Sequence, residues 1–270
     1  MKKRKLSKFF TSGYLILILL FIYLPIGYLI LFSFNEGKSM TNFSGFSLRW
    51  YENLFSKEAS MLQSIWTTLL VAGIATVVST VVGTIAAIGL SKAKRIVRTM
   101  VLEVNNLPVM NPDIVTAIGL MLLFISVKIQ PNIVTLILSH ISFCIPYVIL
   151  TVMPKLRQLD DNVAEAALDL GATPWKALTK VIIPQIMPAI LSGALIAFSM
   201  SLDDFVVSYF NAGVGINTIS MYVYSMKRYN LSVNAMSTLI VVTVTLVLIL
   251  ANLIPWIKDK KAQKEETQNA

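Results

Sequence analysis

The chain has 270 residues and a formal net charge of +9, and 56% of its residues are apolar whereas only 14% are charged. This composition excludes an ordinary soluble domain and indicates a protein that crosses a lipid bilayer several times. Lipid requires every backbone polar group to be satisfied internally, and no β-type alternation appears, so we expect an all-α polytopic helical membrane protein. About six transmembrane helices are predicted from apolar stretches of sufficient length: 13–34, 62–90, 104–127, 132–153, 186–209 and 233–257.

The distribution of lysine and arginine sets the predicted orientation of these helices. If the N-terminus lies inside, 17 of the 23 basic residues fall in inner segments and six fall in outer segments. This asymmetry favours a cytoplasmic location for both termini. The net positive charge is thereby explained by membrane topology, and we expect no nucleic acid as a partner.

The first two apolar stretches are predicted to be membrane helices joined by an outer segment at 35–61. The first is longer than the core of a signal peptide, and no A-x-A-like cleavage site follows Phe34, so we expect it to be retained. Within the outer segment, residues 48–55 have the pattern of a short amphipathic helix. In the second stretch, Gly83 and Ala87 form a small-xxx-small pair that is typical of close helix packing in lipid.

The third apolar stretch opens with NNLPVMNPDIV and is predicted to be broken or kinked near residues 107–111. Two nearby prolines remove backbone donors and obstruct a continuous helix. Asn111 is predicted to cap a helix that restarts at Pro112, with Asp113 in its first turn, where the helix dipole favours a carboxylate. The alternative interpretation gives Asp113 a direct role in the passage of a substrate.

Enzyme and metal motifs are absent from the sequence. The GKS string at 37–39 resembles the end of a P-loop, but Phe32 stands where the first glycine is required. There is no H-E-x-x-H or C-x-x-C motif, so we expect no metal, no cofactor and no enzymatic activity of the chain's own. His140 is predicted to be a satisfied packing histidine in preference to a proton relay, and Cys144 an inert buried thiol.

The longest polar segment within the apolar region, at 155–188, predicts a helix, a break and a second helix. A side chain at 160–162 can cap the first helix, and Gly171 is a natural residue just beyond its end. Thr173 can cap the second helix, with Pro174 at the first helical position, where its missing N–H costs nothing.

The first helix of this segment is predicted to present two different faces. Glu165 and Asp169 are four residues apart and share one face, whereas Val163, Ala167 and Leu170 lie largely on another. Small residues allow a partner surface to approach closely, and the carboxylates can meet basic groups there. The alternative interpretation is an amphipathic helix on the membrane, although such helices usually carry Lys, Arg and bulky aromatic residues.

An acidic pair, Asp203 and Asp204, follows a long apolar run. A charge at the centre of a membrane helix costs about 2.5–3.5 kcal/mol on insertion scales, so two adjacent carboxylates require compensation. In one interpretation they cap helix ends near the outer surface. In the other they form an anionic element in the path of a cation, where Phe205, Tyr209 and Phe210 supply aromatic faces for ammonium groups.

Four sequence strings carry a resemblance to a known family. Glu-Ala-Ala at 165–167, Gly171 and an aliphatic-x-aliphatic-Pro ending at Pro184 resemble the EAA loop of ABC-importer permeases. Together with NPDIVTAIGL at 111–120, SHISFCIPYVIL at 139–150 and SLDDFVVSYF at 201–210, the loop makes the chain similar to PotC-type permeases of spermidine/putrescine ABC importers.

This resemblance implies a type I ABC-importer permease fold. It implies a transmembrane permease domain at 13–257, a basic cytoplasmic N-terminus at 1–12 and a cytoplasmic tail at 258–270. A coupling loop at 155–188 would contact the ATPase through Glu165, Ala166, Ala167, Asp169, Gly171, Ala172 and Pro184. The translocation path is expected to include Asp113, Asp203, Asp204, Phe205 and Tyr209.

The resemblance also implies partners and a location in the cell membrane of a bacterium. The expected assembly contains two copies of an ATPase subunit, a second homologous permease and an extracytoplasmic polyamine-binding protein, all at a lipid bilayer. Two alternatives remain open from the sequence: an ABC-importer permease for another solute, such as an anion or an iron complex, and a secondary transporter or scaffold without an ATPase. The sequence does not distinguish spermidine from putrescine as the preferred substrate.

Overall fold

The computed structural model describes residues 2–226, 230–246 and 249. Within these residues the regular structure is helical, and β-structure is limited to an isolated bridge between Asn35 and Phe46. The predicted all-α fold class is therefore confirmed. Two compact units are distinguished: unit 1 comprises 1–62 and 226–270, and unit 2 comprises 63–225. The predicted tail at 258–270 and the end of the sixth apolar stretch lie outside the described residues.

The helices follow one another with short connections. In chain order they are α1 (Lys2–Ser33), α2 (Arg49–Ser56), α3 (Ala59–Lys92), α4 (Arg95–Met110), α5 (Asp113–Ser126), α6 (Ile133–Leu156), α7 (Asp161–Asp169), α8 (Pro174–Ala177), α9 (Ile183–Asp203), α10 (Val206–Asn211), α11 (Ile219–Ser225) and α12 (Ser232–Leu246). A π-helical turn at Leu178–Ile182 joins α8 to α9, so the helical run from Pro174 to Asp203 is continuous.

Four of the described helical segments are long and apolar enough to cross a bilayer. They are Gly13–Ser33 within α1, α3, α6 and the run Pro174–Asp203. The pair α4 and α5 makes a fifth if it is counted as one broken span, and α12 is a shorter apolar helix. This arrangement agrees with the predicted polytopic helical protein, in which two of the six predicted stretches differ from simple straight spans.

The third apolar stretch is two helices, α4 and α5, that meet at an angle of 107°. The predicted break is confirmed, but the predicted cap is wrong. Asn111 is extended and ends α4, its N–H donating to the carbonyl of Leu107, while Pro112 occupies the N-cap position of α5 without a side-chain cap. The reason is local, because a residue before proline is pushed out of the helical region.

The fifth stretch also ends earlier than predicted. Helix α9 stops at Asp203, Asp204 adopts an extended conformation, and a short separate helix, α10, follows from Val206. The predicted apolar span at 186–209 is therefore two helices, and the helical structure is interrupted at the acidic pair.

Unit 1 has a small core around the loop that follows α1. Its buried cluster is Phe32, Trp50, Leu231 and Ala235. The indole N–H of Trp50 donates to the carbonyl of Asn35 at 2.6 Å, and the Asn35 amide donates to the carbonyls of Ser39 and Asn42. The predicted short helix at 48–55 is confirmed as α2, which buries Trp50 in this cluster.

In unit 2, α6 is packed closely between α3 and α9. Val148 of α6 is fully buried and lies beside Gly83 of α3 and Gly193 of α9. A Cβ placed on Gly83 would lie 2.8 Å from the Val148 Cβ, and one placed on Gly193 would lie 3.5 Å from the Val148 Cα. Ala87, one turn after Gly83, is also fully buried. The predicted close packing through the Gly83 and Ala87 pair is confirmed.

Substitution of Gly83 by leucine is expected to destabilise unit 2 by about 1–3 kcal/mol, because the added side chain overpacks the α3–α6 contact. Gly89→Leu in the same helix is the matched control, since a Cβ there would meet no atom within 4 Å. Thermal unfolding of the purified protein in detergent measures the difference. Equal melting temperatures for the two variants would contradict the packing described for Gly83.

Candidate functional site

A cavity of about 390 Å³ in unit 2 brings the predicted acidic residues together. It is lined by residues of α4, α5 and α6 and of the junction between α9 and α10. Three of the lining residues are carboxylates: Asp113, Asp203 and Asp204. No lysine, arginine or histidine of the described residues is among those that line it. The cavity is therefore an anionic space within an otherwise apolar helical unit.

Both broken helices contribute to this cavity. The bend before Pro112 places Asp113 in the first turn of α5, and the stop of α9 at Asp203 places the acidic pair opposite. In a membrane protein, irregular backbone is tolerated where it lines a cavity or is buried in protein. The two helix interruptions thus explain how carboxylates from distant parts of the sequence line the same cavity.

The two adjacent carboxylates have different surroundings. Asp204 accepts hydrogen bonds from the backbone N–H groups of Val207 at 3.1 Å and Ser208 at 2.7 Å. It thereby satisfies donors at the start of α10, and the capping interpretation is confirmed for this residue. Asp203 is exposed, and its backbone carbonyl accepts from the Ser220 hydroxyl at 3.3 Å.

His140 joins α6 to the α9–α10 junction. Its Nδ1 lies 2.6 Å from the Ser201 hydroxyl oxygen and its Nε2 lies 3.0 Å from that of Ser208. The same Nε2 is 3.5 Å from a carboxylate oxygen of Asp204. The ring is fully buried with both nitrogens paired, which confirms the satisfied packing histidine. The sequence did not reveal its partners, although a serine stands on each side of the acidic pair.

Aromatic side chains surround the same region, but not all of them face the cavity. Phe205 lines the cavity, as does Tyr147, which the sequence did not indicate. The Phe205 ring centroid lies 5.5 Å from that of Tyr209 and 4.7 Å from that of Tyr224. Tyr209 is exposed and is not among the lining residues, so the structure places it behind Phe205 and not in the cavity itself.

Asn211 anchors α10 to its neighbours. Its side-chain N–H donates to the backbone carbonyl of Ala117 in α5 at 3.1 Å, and its backbone carbonyl accepts from the Thr135 hydroxyl in α6 at 2.9 Å. Because Asn211 and Thr135 are fully buried, these bonds fix the short helix on which the Asp204 cap acts.

The segment at 155–188 has the predicted helix–break–helix form. Asp160 accepts from the N–H of Asn162 at 3.0 Å and begins α7. Gly171 has φ of +83°, the left-handed conformation that glycine adopts without strain, and its Cβ position is open space. Thr173 accepts from the N–H of Lys176 at 3.3 Å, with Pro174 at the first helical position of α8. These local predictions are confirmed.

The predicted coupling residues of this segment differ in their exposure. Ala167 and Ala172 are half-buried. The other predicted coupling residues are exposed: Glu165, Ala166, Asp169, Gly171 and Pro184. Leu170, predicted to share a face with Val163 and Ala167, is 89% exposed, whereas Val163 and Ala167 are half-buried. Leu170 ends α7 as its C-cap residue, and its N–H still donates to the carbonyl of Ala166 at 3.1 Å.

Two further apolar side chains are exposed beside Leu170. Leu168 and Trp175 are 43% and 71% exposed, respectively. Exposed apolar side chains that lie close in sequence to carboxylates on a polar segment are typical of a surface that contacts another protein. We call Leu168, Leu170 and Trp175 the apolar rim of α7.

Comparison with known proteins gives consistent matches over the chain. Residues 79–262 match the family described as binding-protein-dependent transport system inner membrane component. The chain is 36% identical to the putrescine transport system permease protein PotI of Escherichia coli K12, covering 92% of this chain and 90% of that protein. It is 34% identical to the spermidine/putrescine transport system permease protein PotC of Haemophilus influenzae, covering 92% and 98%.

Solved structures share the fold at low sequence identity. A chain of a bacterial ABC transporter involved in the import of the acidic polysaccharide alginate is similar with a TM-score of 0.73 and 15% identity, covering 94% of this chain and 97% of that chain. A chain of an amino acid ABC transporter has a TM-score of 0.53 and 18% identity, covering 75% and 96%. These structures establish the fold that the sequence resemblance implied.

The different surroundings of the two adjacent carboxylates lead to different expected costs of removal. Asp204→Ala should lower the free energy of unfolding by about 1–2 kcal/mol, because the backbone N–H groups of Val207 and Ser208 lose their carboxylate acceptor. Asp203→Ala should change the stability by less than about 0.5 kcal/mol, as expected for an exposed side chain. Thermal unfolding in detergent compares the two variants, and a larger loss for Asp203→Ala would contradict the capping role of Asp204.

Proposed function

The chain belongs to the family of binding-protein-dependent transport system inner membrane components, and we propose that this permease carries polyamines through the acidic cavity. It is the multi-pass permease subunit of an ABC importer, in which a separate subunit is the ATPase and a separate protein binds the substrate. Spermidine and putrescine are the proposed substrates, in line with the names of the relatives.

The observation that carries this proposal is the grouping of Asp113, Asp203 and Asp204 around one cavity without a basic lining residue among the described ones. A polyamine carries several ammonium groups joined by short methylene chains. Carboxylates can attract the ammonium groups, while Phe205 and Tyr147 offer apolar and cation–π contact of about 0.5–2 kcal/mol. An anionic substrate would be repelled by the same charges, which disfavours that alternative.

The three carboxylates have separate proposed roles. Asp204 accepts hydrogen bonds from the start of α10 and lies beside His140, so its proposed role is to stabilise the wall of the cavity. Asp113 and Asp203 are proposed to meet the ammonium groups directly. Tyr209 is proposed to act indirectly, by packing its ring against that of Phe205 outside the cavity. Contacts of this kind must stay weak enough for release, as in any conducting path.

Neutralising the two proposed contact carboxylates should reduce polyamine uptake. Asp113→Asn and Asp203→Asn each keep the side-chain size but remove a charge, and a charged hydrogen bond is worth about 1.5–3 kcal/mol. We therefore expect uptake of labelled spermidine or putrescine to fall about tenfold or more, with basal ATP hydrolysis retained.

Glu103→Gln is the matched control for this experiment. Glu103 is an exposed acid on α4 that does not line the cavity. The Glu103→Gln variant should take up polyamines at the wild-type rate. Labelled sulfate should not be transported by any variant. Normal polyamine uptake in both aspartate variants would contradict the proposed path.

The α7 segment is proposed as the contact with the ATPase. An amphipathic helix that lies in a groove of a partner is a recurrent recognition mode. Its exposed Glu165 and Asp169 would meet basic groups, the small Ala166 allows close approach, and the apolar rim of α7 supplies area to be buried. Gly171 and Ala172 form the turn that separates α7 from α8, and Pro184 lies in the first turn of α9.

Charging the apolar rim should weaken the contact with the ATPase. Leu170→Asp places a carboxylate where an exposed apolar side chain is proposed to be buried, and a loss of affinity of about tenfold or more is expected for such a position. Gln158→Asp introduces the same side chain at another exposed position of the loop. Co-purification of the ATPase with the permease measures the effect, and equal retention by both variants would exclude the rim from the interface.

The wider assembly is also a proposal. The chain has one EAA loop and neither a P-loop nor a recognisable receptor region. We infer an importer with two ATPase copies, this permease, a second homologous permease and an extracytoplasmic polyamine-binding protein. The permease domain is assigned to 13–257, with the loop at 155–188 as its coupling element.

The proposed orientation places both termini and the α7 loop in the cytoplasm, because 17 of 23 basic residues then lie inside. A reporter that is active only in the cytoplasm should work when inserted after Gln158 and should be silent when inserted after Asn42. Both sites lie in loops that the structure describes. The reverse pattern would invert the proposed topology.

A further inference from the structure

A second cavity in unit 2, of about 320 Å³, has a charge opposite to that of the first. It lies between the C-terminal ends of α3 and α6, the start of α4 and the start of α7. Gln185 of α9 lines it, whereas Asp203 of the same helix lines the acidic cavity, and this separation corresponds to about 27 Å along a helix. The second cavity therefore lies at the other end of α9 and outside the proposed path.

Basic side chains from three elements line this cavity. Arg98 comes from α4, Arg157 follows α6, and Lys92 ends α3. The carboxylate among the lining residues is Asp160, whose Oδ1 already accepts from the backbone and side-chain N–H groups of Asn162 at 3.0 Å. With the described residues considered alone, neither arginine forms an ion pair with a carboxylate. The cavity thus has an excess of positive charge.

The remaining walls are both apolar and polar. Ile88, Leu156 and Ile182 supply aliphatic surface, and Ser91 and Gln185 add polar groups. A guanidinium group pairs with two oxygens of a phosphate at once, so two converging arginines favour a phosphate over a simple spherical anion. Aliphatic walls beside the cations fit a phosphate that is attached to a hydrocarbon-rich molecule.

We propose that this cavity binds the phosphate group of an anionic membrane phospholipid. The cavity lies at the ends of α3 and α6, two helices that are long enough to cross a bilayer, and lipid phosphates occupy that level of a membrane. Basic pockets between membrane helices on the cytoplasmic side are suited to such head groups. The assignment to the cytoplasmic leaflet rests on the proposed orientation of the permease.

A bound phosphate would connect the membrane helices to the coupling helix. Val163 of α7 and its cap Asp160 line the same cavity as Arg98 and Arg157. A head group held by the two arginines therefore contacts the N-terminal end of α7, whereas Leu168 and Leu170 of the rim lie at its C-terminal end. Lipid binding is expected to stabilise the position of α7 and to increase the ATP hydrolysis that the permease supports.

The test is a titration of the purified importer complex in neutral detergent with phosphatidylglycerol, read by native mass spectrometry. Two basic groups near a membrane surface contribute together a factor of about 30 in affinity, so Arg98→Gln/Arg157→Gln should bind the lipid about 30-fold more weakly. Lys94→Gln/Arg95→Gln is the matched control, because it also removes two positive charges, from positions near Arg98 that do not line the cavity. The control should bind like the wild type.

Additional measurements separate the lipid from other anions. Arg98→Lys/Arg157→Lys keeps the charge but loses the paired guanidinium geometry, and it should bind more weakly than the wild type and more tightly than the glutamine variant. Inorganic phosphate should not displace phosphatidylglycerol, and phosphatidylcholine should not replace it. Thermal unfolding without lipid checks that each variant is folded.

Several outcomes would overturn the proposal. These are equal lipid binding by the glutamine variant and the wild type, an equal loss in the control, or displacement by inorganic phosphate, which would assign the site to a soluble anion. Loss of the ATPase from the glutamine variant in the presence of saturating lipid would assign the cavity to an acidic protein surface. Failure of polyamine uptake by the wild-type complex would instead reject the proposed substrate and leave the lipid result unaffected.

Discussion

The backbone break between α9 and α10 is the constraint on which the arrangement of the acidic cavity depends. A helix that stops in an apolar protein leaves backbone donors and acceptors that must be satisfied within the protein. Asp204 supplies two of the acceptor contacts for α10, and His140 holds the junction through Ser201 and Ser208. Asp203 lines the same cavity as Asp204 and as Asp113 from the other broken helix. A structural requirement and a proposed substrate contact are thus met by neighbouring residues of the same type.

Charge is distributed unequally along α9 and its neighbours. Carboxylates gather around the cavity near the end of α9, and basic side chains gather around the cavity near its beginning. The acidic group is suited to a cation that passes through the protein, whereas the basic group is suited to an anion that stays bound. Both groups of charged side chains lie at helix ends, because the ends of several helices meet at each cavity.

The coupling segment shows how local chemistry and tertiary position combine. Its turn is determined by Gly171 and Thr173, whose conformational and capping preferences act within a few residues. Its exposed surface has another origin, since the exposure of Leu168, Leu170 and Trp175 depends on which sides of the segment pack against the rest of the unit. The basic cavity contacts the N-terminal end of this short helix through Asp160 and Val163, whereas Leu168 and Leu170 of the apolar rim lie at its C-terminal end. The ATPase contact and the lipid site are therefore proposed to act on α7 together.

The sequence by itself determined the helical class, the family and the helix–break–helix form at 155–188. It also indicated the break near Pro112 and the close packing at Gly83, because proline, glycine and capping side chains act on their own stretch of backbone. Only the tertiary structure decided that Asp113, from a distant part of the sequence, lines the same cavity as Asp203 and Asp204. It also decided the partners of His140, which are 61 and 68 residues away in the chain. Such contacts depend on how helices cross, and the local preferences of a sequence do not encode that geometry in any single segment.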